Sequence, residues 1–392
     1  MEQKKPRILV LLSRIPYPLD KGDKLRAYQQ ILGLSQEFRI VLVCLNTGIA
    51  DPEAFKLLNP ICENVHVIRL NRISIYWRLF LNVFKDKPYQ IAYFYSKTAH
   101  KELDFIIEKY LPQRFYCQLI RVAEYAKKYS IFEKTLDYMD ALSAGMERRV
   151  ESAPLILKPM LNSEAKRLKK YEEDIFTSFE KKTIISKYDR DQIAHPNHAQ
   201  IKIIPNGISE NYFEKIEVEK EFDLCFTGNM SYPPNVKGAN YLIKKILPLI
   251  NVPENIQVLI SGKSPSPLVK RLAKKNVTIS GWVEDMRVSY AKSKIFVAPM
   301  IIGSGLQNKL LEAMAQGIPC ITTSLANEAL AAKPNKEILI ANSPEEFSEH
   351  INRLLENPEL RKEIGQSGQN YVKQNFSWKY WNDQLVEFVL EN

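Results

Sequence analysis

Short apolar, β-rich runs alternate with amphipathic stretches along the whole chain. In the first half the runs fall at 7–12, 39–45, 65–70, 117–122, 135–139 and 182–186, with helical patterns such as 24–35 and 101–110 between them. In the second half they fall at 222–227, 257–261, 277–280, 294–298, 319–322 and 337–341, with helical patterns at 240–250, 306–316 and 344–355. Strand-length runs separated by helical patterns predict parallel sheets built from βαβ units. The alternation occurs twice, so the expected fold class is α/β with two doubly wound domains. The boundary falls at Ile203-Ile204-Pro205-Asn206-Gly207-Ile208, where a strand runs into the turn signal Pro-Asn-Gly. An acidic stretch, 214–221, precedes the second series. Two such halves place a ligand in the cleft between them, at the carboxyl ends of the strands.

Composition narrows the classes. A chain of 392 residues suits two domains, and 45% hydrophobic with 26% charged residues is ordinary globular usage. That excludes collagen, coiled coil and long disorder. No apolar run approaches the roughly 18–20 residues of a membrane span. Met1–Arg7 is charged and leads straight into a short strand, without the apolar core and small-residue site of a signal peptide. The expected location is the cytoplasm. Cys44, Cys62, Cys117, Cys225 and Cys320 are scattered with no CxxC pair, which reads as reduced, mostly buried thiols.

Charge is unevenly spread. The net charge is +10, and residues 1–200 hold 33 Lys and Arg against 24 Asp and Glu, residues 201–392 only 22 against 21. The first half therefore suits an anionic partner, a membrane surface or nucleic acid, or is simply a basic surface. No recognition module for nucleic acid accompanies the basic residues, so nucleic acid is the least favoured partner.

Two loops carry candidate chemistry. The first, Ser13 to Lys24, follows the opening strand; Gly22 allows close backbone approach, and a helix start there favours an anion. It is not a GxGxxG fingerprint, and the alternative is a surface loop with Asp23 as helix cap. The second runs from Pro299 through Gly303-Ser304-Gly305 into a helix expected from Leu306. Free N–H groups at that start suit phosphate or sugar oxygens. Glu312 lies among Leu311, Ala313 and Met314, where a buried carboxylate needs partners. Two adjacent hydroxyls, as on a ribose, would satisfy it; the alternative is a solvent-facing Glu. In the first half, Asp140 beyond a strand end is either an acceptor contact or a helix cap, and Arg121 ends another strand. Asp189-Arg190-Asp191 has the spacing of a metal motif but reads as a helix start after Ser186. His195 and His198 lack further clustered ligands. No metal site is expected.

The stretch Gly303-Ser304-Gly305 followed by Lys309-Leu310-Leu311-Glu312-Ala313-Met314-Ala315-Gln316-Gly317-Ile318-Pro319 resembles the signature of family 4 glycosyltransferases. Lys182–Asp189, the Pro-Asn-Gly linker, Phe226-Thr227-Gly228-Asn229-Met230, Gly281-Trp282-Val283 and Asn375-Phe376-Ser377-Trp378 are similar to other landmarks of that family. Arg14-Ile15-Pro16-Tyr17-Pro18 through Gly22-Asp23-Lys24 resembles its exopolysaccharide-associated subgroup. The resemblance covers essentially the whole chain. It implies a GT-B fold, two Rossmann-like domains facing a cleft: an acceptor-binding domain at 1–205, a nucleotide-sugar domain at 206–376, and a C-terminal helix at 377–392 crossing back to the first.

The resemblance also implies retention of anomeric configuration and no bound metal. Carried over by position, Glu312 would hold ribose hydroxyls, while Ser304, Gly305 and Leu306, with Gly303 before them, would offer backbone N–H groups to sugar and diphosphate. Val283 would meet the base, Gly22 would approach the diphosphate from the opposite wall, and Gly228 and Asn229 would border the donor. Ser304 stands where the family has the first of two glutamates, a contact to the donor sugar. Among Lys237, Lys263 and Lys309, the last is favoured for the diphosphate, the alternative being an ion pair with Glu312 three residues on.

The expected function is transfer of a sugar from a UDP- or GDP-sugar to a saccharide or lipid-linked acceptor in bacterial surface or exopolysaccharide assembly. The rivals are a nucleotide-sugar epimerase or hydrolase of the same fold, and a non-catalytic sugar-nucleotide sensor. In 72–87, Trp77, Phe80, Leu81 and Phe84 recur at helical spacing among Arg72, Arg78, Lys85 and Lys87. That pattern fits a helix lying on an anionic membrane, the alternative being a core-facing helix.

Overall fold

The strands β1 (Arg7–Leu12), β2 (Arg39–Asn46), β3 (Asn64–Arg69), β4 (Arg114–Gln118), β5 (Glu133–Asp137), β6 (Lys181–Ile184) and β7 (Lys202–Ile203) pair side by side in the order β3-β2-β1-β4-β5-β6-β7. Every pairing is parallel. This computed structural model describes residues 5–151, 153–252, 254–302 and 305–391. A parallel sheet is covered on both faces, so its strands carry apolar side chains at successive positions. In β1 they divide alternately: Ile8 and Val10 join a core with Ala27, Ile31 and Leu34, while Leu9 and Leu11 join another with Leu103, Phe115 and Leu168.

A second parallel sheet holds β8 (Phe222–Thr227), β9 (Val258–Ser261), β10 (Val277–Gly281), β11 (Ser293–Ala298), β12 (Cys320–Thr322) and β13 (Leu339–Ile340), in the order β10-β9-β8-β11-β12-β13. Both sheets start in the middle, build outward to one edge, and return to the other side of the first strand. That reversal opens a crevice at the carboxyl ends of β1 and β4, and again at those of β8 and β11.

The chain forms two compact units. The first runs to Pro205 and resumes at Lys379; the second spans Asn206–Trp378. The last helix, Trp378–Leu390, lays Leu385, Val386 and Val389 in the core that holds Ile8 and Leu34. Asn382 packs against Gly33, where a Cβ would come within 2.6 Å of it, and its amide donates to the Gln29 carbonyl at 2.9 Å.

Several local expectations are corrected. The run 117–122 is not one strand: β4 ends at Gln118, Leu119 turns with φ 68°, and Ile120–Val122 is a 3-10 turn. The helix expected from Leu306 starts at Asn308, after Gln307 in extended conformation. Asp23 is not a cap, because the helix Gly22–Leu34 starts one residue before it; Asp23 pairs with Arg14 at 3.2 Å. The helix placed at 240–250 starts at Pro233 and passes through a π turn at Leu242–Ile246. Asp189 does lie in a helix capped by Ser186, and Asp191 pairs with Arg190. His195 stacks on Phe176 at 3.8 Å. All five cysteines are buried and free. Among the described residues no helix is long and apolar enough to cross a membrane, and no three His, Cys, Asp or Glu side chains are grouped to hold a metal.

Candidate active site

In the second unit three strand ends are tied by backbone alone. After β8 the chain turns at Gly228, whose N–H donates to Ser261 at 3.0 Å. Gly262, just past β9, sits so close that a Cβ there would lie 1.8 Å from the Gly228 carbonyl oxygen, and its φ of +135° disfavours any other residue. Its N–H donates to Gly281 at the end of β10, at 2.9 Å. Val283, half-buried, follows two residues later beside exposed Trp282. The Lys263 carbonyl accepts from Met230, and Asn229 Oδ1 accepts from the Ser231 N–H and hydroxyl.

The helix Asn308–Ala315 follows β11 and carries Lys309 and Glu312 about one turn apart. Glu312 Oε2 accepts from the Tyr290 hydroxyl at 2.7 Å, and that hydroxyl also meets Thr227 Oγ1 at 2.8 Å. Burial pushes the Glu312 carboxyl up to about 7, against the pull of Tyr290 and Lys309. The Lys309 ammonium donates to Asn235 Oδ1, lies 5.2 Å from the Phe226 ring centre, and is lowered by burial to about 8. It is thus held by Asn235 and not by an ion pair with Glu312. Asn235 in turn donates to the Asn229 carbonyl at 3.0 Å. Two hydrogen-bonded chains, Glu312–Tyr290–Thr227 and Lys309–Asn235–Asn229, converge on the turn after β8. Gly305 has φ +87° and Leu306 packs on the core. Gly303 and Ser304 lie outside the described residues. Lys237 is exposed and Lys263 half-buried.

The first unit gathers Gly22, Arg121 and Asp140 at the carboxyl ends of its own sheet. A Cβ on Gly22 would meet the Met139 methyl at 4.0 Å, next to Asp140 in the chain. Asp140 is half-buried; burial, with the nearby Asp189 carboxylate, raises it to about 7, while Arg26 and Arg121 oppose. Arg121 donates to Gln90 Oε1 at 2.9 Å and lies over Phe94; burial lowers it, and Arg14 lowers it further. Nearby, a buried ion pair joins Arg26 to Asp137 at 2.7 and 3.0 Å, with Thr183 and Gln30 also donating to Asp137. A groove of about 430 Å³ beside these strand ends is lined by Arg14, Tyr17, Lys21, Lys24 and Tyr93.

Residues 221–357, most of the second unit, match the family model of glycosyl transferases group 1. The chain is a glycosyltransferase. This glycosyltransferase is 25% identical, over 95% of its length and 97% of the other, to a 44.6 kDa protein in the cps region of Klebsiella pneumoniae. It is 29% identical to a glycosyltransferase of Methanocaldococcus jannaschii, over 47% of this chain and 50% of that one. Its fold matches the crystal structure of Anabaena HepE in complex with UDP and glucose, with a TM-score of 0.71 at 13% identity, over 97% of this chain and 98% of that one. The architecture is the GT-B fold.

Sequence reasoning missed Tyr290, Asn235 and Gly262. Tyr290 reads as one more core aromatic, and Asn235 as part of a Pro-Pro-Asn turn. The signal that could have found them was the need of Glu312 and Lys309 for polar partners, although it does not say where in the chain they lie.

Proposed function

We propose that this glycosyltransferase takes its sugar from a nucleotide-sugar, UDP- or GDP-linked, bound at the carboxyl ends of β8 and β11, and transfers it with retention of configuration. The observation that carries the reading is Glu312: a half-buried carboxylate raised to about 7, with one oxygen engaged by Tyr290, at the reversal of the sheet. Ionised, it is suited to accept from the two hydroxyls of a ribose. Lys309 and the N–H groups before Asn308, from Gly303 and Ser304 through Gly305 and Leu306, would take the negative charge that develops on the leaving diphosphate, with the helix dipole aiding. Val283 would meet the base through its backbone, and Gly228, Asn229 and Lys263 would border the donor. These groups supply the electrostatic role of a cation, so the reading includes transfer without a metal.

In the first unit Gly22 would approach the diphosphate, and Asp140 and Arg121 would orient the acceptor, a saccharide or lipid-linked saccharide. In a front-face transfer the leaving phosphate takes the acceptor proton, so neither residue has to act as base. The full-length relative from a cps region supports a role in bacterial surface or exopolysaccharide assembly, and five buried free thiols support a cytoplasmic location. The HepE complex with UDP and glucose supports a UDP-sugar among the candidate donors.

The test is a thermal-shift screen over UDP-, GDP-, ADP- and TDP-sugars, since a ligand of the folded state raises apparent stability. Glu312→Gln should remove the shift given by the best donor, and a 2′,3′-dideoxy nucleotide should bind the wild type poorly. Transfer to acceptor should survive EDTA. No shift with any sugar nucleotide overturns the donor assignment; hydrolysis of donor without acceptor favours a hydrolase of this fold.

A further inference from the structure

The helix Arg72–Asn82 buries only Ile75 and Asn82. Leu79 leans on the core, and the other apolar side chains face outward: Ile73, Tyr76, Trp77 and Phe80 at i, i+3, i+4 and i+7, with Leu81 beside them and Phe84 just beyond the helix, Trp77 being 63% and Phe84 81% exposed. A second exposed set, Leu155, Ile156 and Met160, precedes and opens the helix Lys158–Phe176. The elements that carry the two sets are tied together. Glu164 accepts from the N–H groups of Tyr89 and Gln90, and Arg167 donates to the carbonyls of Asn82 and Lys87. Met160 lies about one turn, roughly 6 Å, before Glu164 on the same helix. Single exposed apolar residues are ordinary, but this many on two adjoining elements mark an interaction surface.

We infer that the first unit docks on an anionic bilayer surface through this apolar face. Charge decides the occupant. Stretches 69–87 and 158–170 each hold five Lys or Arg against one acidic residue. A second copy of the chain would bring like charges together around the apolar centre, whereas anionic headgroups complement them. An apolar face with Trp and Tyr, flanked by basic residues and far too short to span, lies in the plane of the interface. A depression lined by Arg69, Asn71, Arg72 and Ile73 shares Thr47 and Leu70 with the groove at the strand ends, whose Phe94 lies under Arg121, so the docked face leads to the neighbourhood of the site assigned to the acceptor. Docking gives that reading a route for a lipid-linked saccharide but stands without it.

The experiment is co-sedimentation of the full chain with vesicles of phosphatidylglycerol and phosphatidylcholine, against phosphatidylcholine alone. The chain should pellet with the anionic vesicles at low salt and lose about tenfold or more in affinity as salt rises towards 0.5 M. Trp77→Ser with Phe80→Ser, and separately Ile156→Ser with Met160→Ser, should each weaken binding about tenfold or more. The thermal shift given by a sugar nucleotide should stay unchanged in both variants, which reads folding and donor binding apart from docking. If the wild type stays in solution with anionic vesicles at low salt, or neither pair of substitutions alters binding, the inference fails. A self-association abolished by the same substitutions, with no vesicle binding, assigns the face to a second copy and overturns it as well.

Discussion

A carboxylate held near neutrality changes what a substitution does. Unfolded, Glu312 loses its proton near 4.5; folded, burial keeps the proton until about 7. The folded chain binds the extra proton between those values, so stability falls as pH rises through that window. Glu312→Gln removes the cost while still accepting from Tyr290. Its melting temperature should therefore rise relative to wild type between pH 5 and pH 8, as differential scanning calorimetry will show. Nucleotide affinity at pH 8 should move the other way, weaker by about 10- to 150-fold, because a charged acceptor contributes about 1.5–3 kcal/mol. Below pH 6 the two proteins should bind alike.

Lys309 sets the opposite limb, since its ammonium is lost above about 8. Donor affinity measured by calorimetry should peak between pH 7 and pH 8, and Lys309→Met should bind more weakly and lack the alkaline decline. Glu312 and Lys309 were legible as polar residues in an apolar helix after a glycine turn. Tyr290 and Asn235 were not, because their roles exist only through contacts with residues 22 and 74 positions away.

At the scale of elements, strand and helix alternation is readable because each parallel strand must be apolar on both faces. Where an apolar run outlasts its strand, as at Leu119 and Ile120, pattern alone gives no stop; Leu119 makes the last ladder bond, to the Asp137 carbonyl, and the chain turns there at its φ of 68°. Asp137 also shows how elements are tied. The buried pair Arg26–Asp137 joins the helix Gly22–Leu34 to β5, and Arg26 reaches the Ile204 carbonyl just past β7. Removing one partner of such a pair leaves a buried uncompensated charge, at a cost of about 3–5 kcal/mol. Asp137→Asn should lower the denaturant midpoint of the first unit by that equivalent while nucleotide binding to the second persists. Equal loss in both units would show that they unfold as one.

At the scale of the whole molecule, two units that share no core predict two unfolding transitions. A sugar nucleotide at a hundred times its Kd should raise the stability of the second unit by about 2.7 kcal/mol, leaving the first where it was. Scanning calorimetry with and without donor resolves the two. The path of the chain adds a constraint of a different kind. The second unit is one uninterrupted stretch, but the first needs Leu385, Val386 and Val389 to close the core around Ile8 and Leu34. During synthesis the first sheet emerges early with one face covered only in part, by the helix Gly22–Leu34 and the residues around Ala54 and Leu58. It waits, part of its apolar surface open to other chains, until the helix that carries Leu385, Val386 and Val389 has been made. The half of the protein translated first is therefore the half completed last, and the half most in need of a chaperone while it waits.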